Sequence, residues 1–308
     1  MKRYDIVVPG ELNPDLILTD PNLDPRFGQA EVLVEHAALT PGSSSVIFAC
    51  GAARLGLKVA FVGVVGDDMF GRFMMEALAS RGVDTDHIIV DPSQATGLTV
   101  ILNRINDRAM LTHLGAINAL LASQIPDELL SQARHLHLAS YFLQTKLQPD
   151  VPDLFRRARS MGLTTSIDTN WDPDERWAGV HDLLPLTNVF LPNENEALAL
   201  TTASSVEEAA KELSASAEVV AVKMGAEGGL AIQCNDPVRV PAVPVTVVDT
   251  VGAGDTFDAG FIYGYLQGWS LGKTLKLAIA CGSLSTQKSG GLAGQPDLNS
   301  ALDAIAEL

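Results

Sequence analysis

Short strands alternate with helices along these 308 residues, which predicts an α/β chain folded around a doubly wound sheet. Three observations carry that expectation. Tyr4 to Pro9, Ala60 to Val65 and Val219 to Met224 are apolar runs of strand length. Between such runs lie helical spacings, clearest at Phe70, Phe73, Met74, Ala77 and Leu78, which form one core-facing stripe. Two stretches, about 11–40 and 95–115, break the alternation and read as β-rich insertions.

Composition narrows the classes. A hydrophobic content of 47% is ordinary for a globular protein with a sizeable core. The net charge of −16, with no block of five like charges, argues against a nucleic-acid partner. Cys50, Cys234 and Cys281 are far apart and odd in number, so neither a disulfide framework nor a zinc site is expected. Met1-Lys2-Arg3 leads into a short strand rather than a signal peptide, and Arg54 and Lys58 interrupt the best apolar run before it reaches membrane length. A cytoplasmic protein without membrane contact is the expectation. No repeat or low-complexity linker divides the chain, so 1–308 reads as one domain.

In order, Tyr4 to Pro9 opens the sheet and ends in Gly10-Glu11-Leu12-Asn13-Pro14-Asp15. Turns at the carboxyl ends of such strands are where open α/β sheets place ligands, although an ordinary Asn-Pro-Asp turn fits equally. Leu16 to Leu18, Val32 to Val34, Thr96 to Leu102 and Ala109 to His113 read as short strands, the last two flanking a turn at Asn106-Asp107. Pro41 to Gly56 reads as a Gly/Ser turn, a Ser cap and a helix of small residues that packs closely on a neighbour. Asp67 and Asp68 sit where a helix start, not a metal, needs them.

Two histidines, His135 and His137, share one face of a strand. With no third ligand at sensible spacing, a structural role is expected. Thr164 to Asp168 is another strand, followed by Thr169-Asn170-Trp171-Asp172-Pro173. Val189 to Leu191 leads to Pro192-Asn193-Glu194-Asn195-Glu196, where Asn-x-x-Glu before an apolar helix is a capping box. Val219 to Met224 then runs into the turn Gly225-Ala226-Glu227-Gly228-Gly229.

The central stretch is Val248 to Phe257. The β-branched run Val243 to Val248 before it reads as a strand, and Phe257, Phe261 and Tyr265 after it fall on one helix face. Gly252-Ala253-Gly254-Asp255 therefore sits where N–H groups converge at the positive end of a helix, an anion site suited to phosphate. Asp255 repels phosphate, so it makes sense as a general base on a neighbouring hydroxyl, or else as a plain N-cap. Leu271 to about Thr286 and Leu298 to Leu308 close the chain as helices.

The nine residues Asp249-Thr250-Val251-Gly252-Ala253-Gly254-Asp255-Thr256-Phe257 resemble the C-terminal signature of the ribokinase-like sugar kinases, the phosphofructokinase B family. That resemblance implies a ribokinase-like, mostly parallel sheet flanked by helices, with the two insertions pairing into a small β-lid and a homodimer formed through the lid. It makes Asp255 the catalytic base and Gly252, Ala253 and Gly254 the anion hole. Gly10 to Asp15 is similar to the family's sugar-gripping turn, which assigns Asn13 and Asp15 to substrate. Pro41 to Gly56 resembles the N-terminal signature and adds Gly42, Ser43 and Ser44. There the family's sugar-binding Asn falls at Ile47, counted back from Arg54-Leu55-Gly56, or at Val46, counted forward from Pro41; that contact is missing. Ser43, Ser44 and Ser45 either replace it or only cap the helix. Gly66 to Gly71 resembles the family without implying chemistry. Leu138-Ala139-Ser140-Tyr141 stands where ribokinases carry a sugar-contacting Glu, and Asp172 replaces an Arg common in relatives.

On the nucleotide side the resemblance makes Asn193 and Glu196 organisers of water around Mg2+ and ATP phosphates. It sets Lys223, Gly225 and Gly228 against the nucleotide, with Ala278 and Ile279 packing on adenine. Asp249, Val251 and the loop at Gly290 would hold a monovalent cation, K+. The expected function is an ATP-dependent kinase acting on a primary hydroxyl of a small, neutral sugar. A nucleoside kinase of the same fold and a sugar-binding protein without catalysis are the alternatives.

Overall fold

The computed structural model describes residues 2–104 and 107–306. The first half carries β1 (Ile6–Pro9), β2 (Pro14–Thr19), β3 (His36–Pro41), α1 (Ser44–Arg54), β4 (Val59–Val65) and α2 (Met69–Ser80). It continues with β5 (Asp84–Val90), β6 (Leu98–Arg104), β7 (Asp107–His113), α3 (Asp127–Leu130) and β8 (His135–Leu138). Then come α4 (Val151–Ser160), β9 (Thr164–Ile167), α5 (Val180–Leu183), β10 (Val189–Phe190), α6 (Glu194–Ala199) and α7 (Val206–Leu213). The chain ends with β11 (Val219–Lys223), β12 (Gly229–Gln233), β13 (Asp236–Val240), α8 (Ala253–Leu266), α9 (Leu271–Ser285) and α10 (Leu298–Ile305).

Nine strands form one sheet in the order β13-β12-β11-β10-β9-β8-β1-β4-β5. It is parallel from β11 to β5, and the hairpin β11-β12-β13 adds an antiparallel edge. Apolar cores cover both faces. One collects Leu154, Phe155, Leu183 and Phe190 beneath α4 and α5; the other collects Phe48, Phe61, Phe257 and Phe261 beneath α1, α8 and α9. Each fully buried Phe contributes about 1.5–3 kcal/mol. The helix stripe of α2 buries Met74 and Leu78 as its spacing predicts. Asp68 caps that helix, its carboxylate accepting from Gly71 N (2.8 Å) and Thr96 N (2.8 Å).

A second sheet, β3-β2-β6-β7, is built from the two insertions. Its register differs from expectation. Val32-Leu33-Val34 is not a strand; the partner of β2 begins at His36. The cause is the tight join between Asn13 and Gly42, where Gly42 N donates to Asn13 O (3.1 Å) and fixes Pro14 opposite Pro41. Asn106, and with it the turn expected there, lies outside the described residues. Val243 to Val248 is not a strand either: 241–250 pairs with neither sheet. Pro241 and Pro244 lack the N–H a ladder requires, which the β-branched composition hides. Among the described residues, no helix is long and apolar enough to cross a membrane.

Candidate active site

Helix α8 begins at Ala253 with Gly252 as its N-cap at φ 72°, a left-handed conformation that suits glycine. A Cβ there would meet Gly291 Cα at 2.8 Å and the Ile47 side chain at 3.0 Å, so the turn is pressed onto its neighbours. Asp255 is therefore not the N-cap; it lies within the first turn, buried. Among the described residues, the N–H groups of Gly252, Gly254 and Asp255 meet no protein acceptor, and Ala253 N donates only to Thr250 O at 3.3 Å. Free N–H groups at the positive end of a 14-residue helix attract an anion.

Burial pushes the Asp255 carboxyl up to about 7; Asp168 and Glu11 add repulsion, while the Lys223 ammonium and the Ser44 hydroxyl pull it down. Oxygens of Asp168, Asp255 and Asp258 lie within 4.8 Å of one another. Lys223 Nζ spans two of these acids, at 2.7 Å from Asp168 and 3.1 Å from Asp258. Burial opposes the charge on Lys223, but Asp168, Asp258 and Glu196 hold its pKa raised. Burial drives the Asp258 carboxyl well above the usual carboxylate range. Asp168 and Asp258 are members of the site that sequence reasoning missed. Their signal was available: Asp168 ends a parallel strand, and Asp258 follows Asp255 by one helical turn.

Toward the second sheet, Asp15 is buried and, among the described residues, has no hydrogen-bond donor; burial pushes its carboxyl up to about 7. Gly42 makes its room, since a Cβ there would collide with that carboxylate. Asn13 Nδ2 reaches Thr99 Oγ1 at 3.4 Å. Ser43 caps α1, its Oγ accepting from Val46 N (3.2 Å), and Ser44 stands beside Asp255. Sequence reasoning also missed Glu11, a buried hub. Its Oε1 accepts from Ser43 Oγ (2.9 Å), Ser45 N (3.2 Å) and Ser140 Oγ (2.9 Å), and its Oε2 from Ser45 Oγ (2.5 Å). The Asn-lacking positions Val46 and Ile47 are both buried in the core. Asp172 does not face this side as an open acid. It accepts from Asp174 N (2.9 Å), Arg176 N (2.8 Å) and Trp177 N (2.7 Å), so it closes its own turn.

On the other side of Gly254 a cleft of about 530 Å³ opens between the 242–247 segment and α9. Lys223, Gly225 and Gly228 border it, with Val243, Val245 and Ile279 among its apolar walls. Ala278 does not line it; it packs against α8, where a Cβ on Gly260 would approach Ala278 Cα at 2.9 Å. Asn193 and Glu196 form the capping box in full: Glu196 N donates to Asn193 Oδ1 (3.0 Å) and Asn193 N to Glu196 Oε2 (2.9 Å). Burial and Asp168 push Glu196 up to about 7 against the pull of Lys223 and those bonds. A buried acid with spare lone pairs suits a hydrated cation. Asp249 ties the remaining expected residues together, accepting from Val251 N (3.0 Å), Gly290 N (2.9 Å) and Ser289 Oγ (3.2 Å).

The histidines play no part. His135 meets Thr164 Oγ1 and Ser166 Oγ (both 2.7 Å), and His137 meets the same Ser166 and stacks on Phe48 at 3.5 Å. Burial lowers His135 to about 3 and His137 well below its ordinary value, so both are neutral.

A nine-stranded, mostly parallel sheet with an anion-attracting turn and a buried acid defines a sugar- or nucleoside-kinase fold. Residues 3–298 match the pfkB family of carbohydrate kinases, and the chain belongs to that family. It is 31% identical to a 2-dehydro-3-deoxygluconokinase of Bacillus subtilis, over 87% of each chain. It is 28% identical to a ribokinase of Lactococcus lactis, over 98% of this chain and 97% of that one. An E. coli protein described as a ribokinase II, solved in complex with ATP and Mg2+, superposes with a TM-score of 0.88 at 25% identity, covering 99% of this chain and 100% of that one. The chain is a phosphotransferase that acts on an alcohol group.

Proposed function

We propose that this kinase transfers the γ-phosphoryl group of ATP to a primary hydroxyl of a small neutral sugar, with Asp255 as general base. The observation that carries the reading is a carboxyl poised near pH 7 within a helix turn whose N–H groups are free. ATP supplies the phosphoryl group; Asn193 and Glu196 would hold Mg2+, which when bound would neutralise phosphate charge. Asp255 takes the hydroxyl proton as that oxygen bonds to phosphorus and the bond to the ADP oxygen breaks. The N–H groups of Gly252, Gly254 and Asp255 meet the charge on the phosphoryl oxygens, each such donor being worth about 10²–10³ in rate. Lys223 adds a fixed positive charge at the border of the cleft.

Asp15 supports a neutral substrate. A desolvated carboxylate without a protein donor accepts sugar hydroxyls but repels a second anion. Arg104 in β6 is engaged by Asp107 at 3.0 Å on the surface, and Arg108 is exposed, so neither cation is committed to the sugar side. The B. subtilis relative, named for a sugar acid, makes the opposite case. An ADP-release screen over ribose, fructose, 2-keto-3-deoxygluconate, fructose 6-phosphate and nucleosides decides between them. A neutral sugar should lead in kcat/KM; a tenfold lead by either anion removes the charge argument, a nucleoside lead reassigns the substrate, and no ADP release with any of them contradicts the proposal. We also propose self-association through the second sheet, where β7 is exposed throughout and carries Met110 and Leu111 at 61% and 60% exposure. Sedimentation of Met110→Lys against the parent chain tests it.

A further inference from the structure

The loop before α10 sends one buried side chain back to the entrance of α8. Gln295 is 3% exposed and lies between α1 and α8, where a Cβ on Gly51 would meet its Nε2 at 3.0 Å and Ala259 Cβ at 3.1 Å. Its Nε2 donates to Ile47 O at 2.8 Å. A backbone carbonyl only accepts, so the amide nitrogen must face it and the orientation of this amide is settled. The same Nε2 donates to Thr256 Oγ1 at 3.3 Å. That hydroxyl spends its own proton on Gly252 O at 2.8 Å, and Thr256 N reaches the same carbonyl at 3.0 Å. The chain of bonds runs one way, from Gln295 through Thr256 to Gly252.

Both ends are fixed. Arg54 Nε donates to Gln295 O at 2.7 Å and Arg81 Nη2 to Leu292 O at 3.2 Å, so the loop that carries the amide is tied down. At the other end, the Gly252 carbonyl shares one rigid peptide plane with Ala253 N–H, the first residue of α8. Holding that carbonyl sets the plane from which the first turn of the helix is built. Packing alone does not explain an amide here. An apolar chain of similar length is cheaper to bury, and Gln295 Oε1 meets no donor among the described residues.

We propose that Gln295 is a positioning residue that holds the Gly252 carbonyl through Thr256 and so aims the N–H groups of the turn at the phosphoryl group. This rests on the reading of 252–255 as the turn that meets the group being transferred. Gln295 is buried, so its effect reaches that group only through Thr256 and Gly252. Its second bond, to Ile47 O, ties α1 to the same amide, and the two helices are set against each other by one side chain.

The test reads the turn directly, by backbone amide NMR of isotope-labelled protein without nucleotide or sugar. Gln295→Met keeps the length of the side chain and removes the donor. It should shift the amide signals of Gly252, Gly254 and Asp255 and leave those of Gly260 and Gly264, further along α8, in place. In a Thr256→Val background the same change should move the turn signals by less than about half as much, because the link it breaks is already gone. In the active enzyme Gln295→Met should lower kcat about tenfold and leave the KM for ATP within about twofold, since a misaimed donor is felt in the transition state. Should that variant fail to fold, Gln295→Asn, one methylene short of its two acceptors, carries the same pattern. Unmoved turn signals, signals that move equally along all of α8, an equal shift with and without the Thr256 hydroxyl, or a rise in KM without a fall in kcat overturns the proposal. The NMR measurements need no turnover and answer even for a chain that phosphorylates nothing, so the two readings fail separately.

Discussion

Glu11 and Asp15 are four residues apart, both buried, and differ in what surrounds them. Glu11 accepts hydrogen bonds from Ser43, Ser45 and Ser140 and is complete within the protein. Asp15, like Asp255, has been taken out of water without enough donors, and burial lifts both carboxyls to about 7. Buried polar groups are normally satisfied, and one that is not marks either strain or a place kept for something else. On this contrast Glu11 is a fastener of the fold, and Asp15 and Asp255 are sockets.

The sharpest way to break the contrast is Asp255→Asn. Turnover should fall by about 10²–10⁴ with the KM for ATP nearly unchanged; a variant retaining more than a tenth of parental turnover removes the base assignment. Asp15→Asn should lower kcat/KM for the sugar by about 10–100-fold, as loss of charged hydrogen bonds to hydroxyls would. Isothermal titration of the sugar checks it, and unchanged affinity contradicts the socket reading.

Stability should separate the two acids with opposite signs. A carboxyl whose folded pKa lies near 7, above its ordinary 3.8, binds protons more tightly when folded. Its stabilising protonation is complete below about pH 4 and is lost as pH rises through about 7. The ligand-free thermal midpoint should therefore fall across that window, and Asp15→Asn should flatten the fall. Glu11→Gln should instead lower stability at neutral pH by roughly 1–3 kcal/mol, because an amide offers a donor where neighbouring donors need an acceptor; urea titration measures it. The smallest effect expected is stimulation by potassium through Asp249, Val251 and Gly290. Equal rates in potassium and in a bulky organic cation at matched ionic strength speak against that site.

What could be read beforehand was mostly local. The stripe of α2 and the Asn193–Glu196 box declare themselves within one or two helical turns, and the 249–257 run marks the glycine turn that opens α8. Glu11 and Asn170 were invisible for the opposite reason: Glu11 meets Ser140 across 129 positions and Asn170 meets Ser44 across 126. Asp172, standing where relatives carry an Arg, spends its lone pairs on its own backbone, a local closure that the substitution does not announce. At 243–248 the β-branched residues hid Pro244, and Pro241 just before it, which lack the N–H a ladder requires, and Val32 to Val34 lost its pairing to a turn whose partner lies near residue 13.

The contact between Ile47 and the glycines at 252 and 291 limits how this enzyme could change by mutation. A Cβ at Gly252 would come within 3.0 Å of Ile47 Cγ2, and one at Gly291 would collide with Ile47 Cδ1. The Ile47 side chain therefore packs against the turn that opens α8. Installing asparagine at 47 would bury an amide against carbon and leave it unpaired, at a cost of about 1–3 kcal/mol, before any sugar contact could form. Position 47 and the 291 loop would have to change together. A lineage carrying isoleucine here thus stands behind an epistatic barrier, and grafts of foreign specificity onto this chain should begin at Asp15 and Ser44.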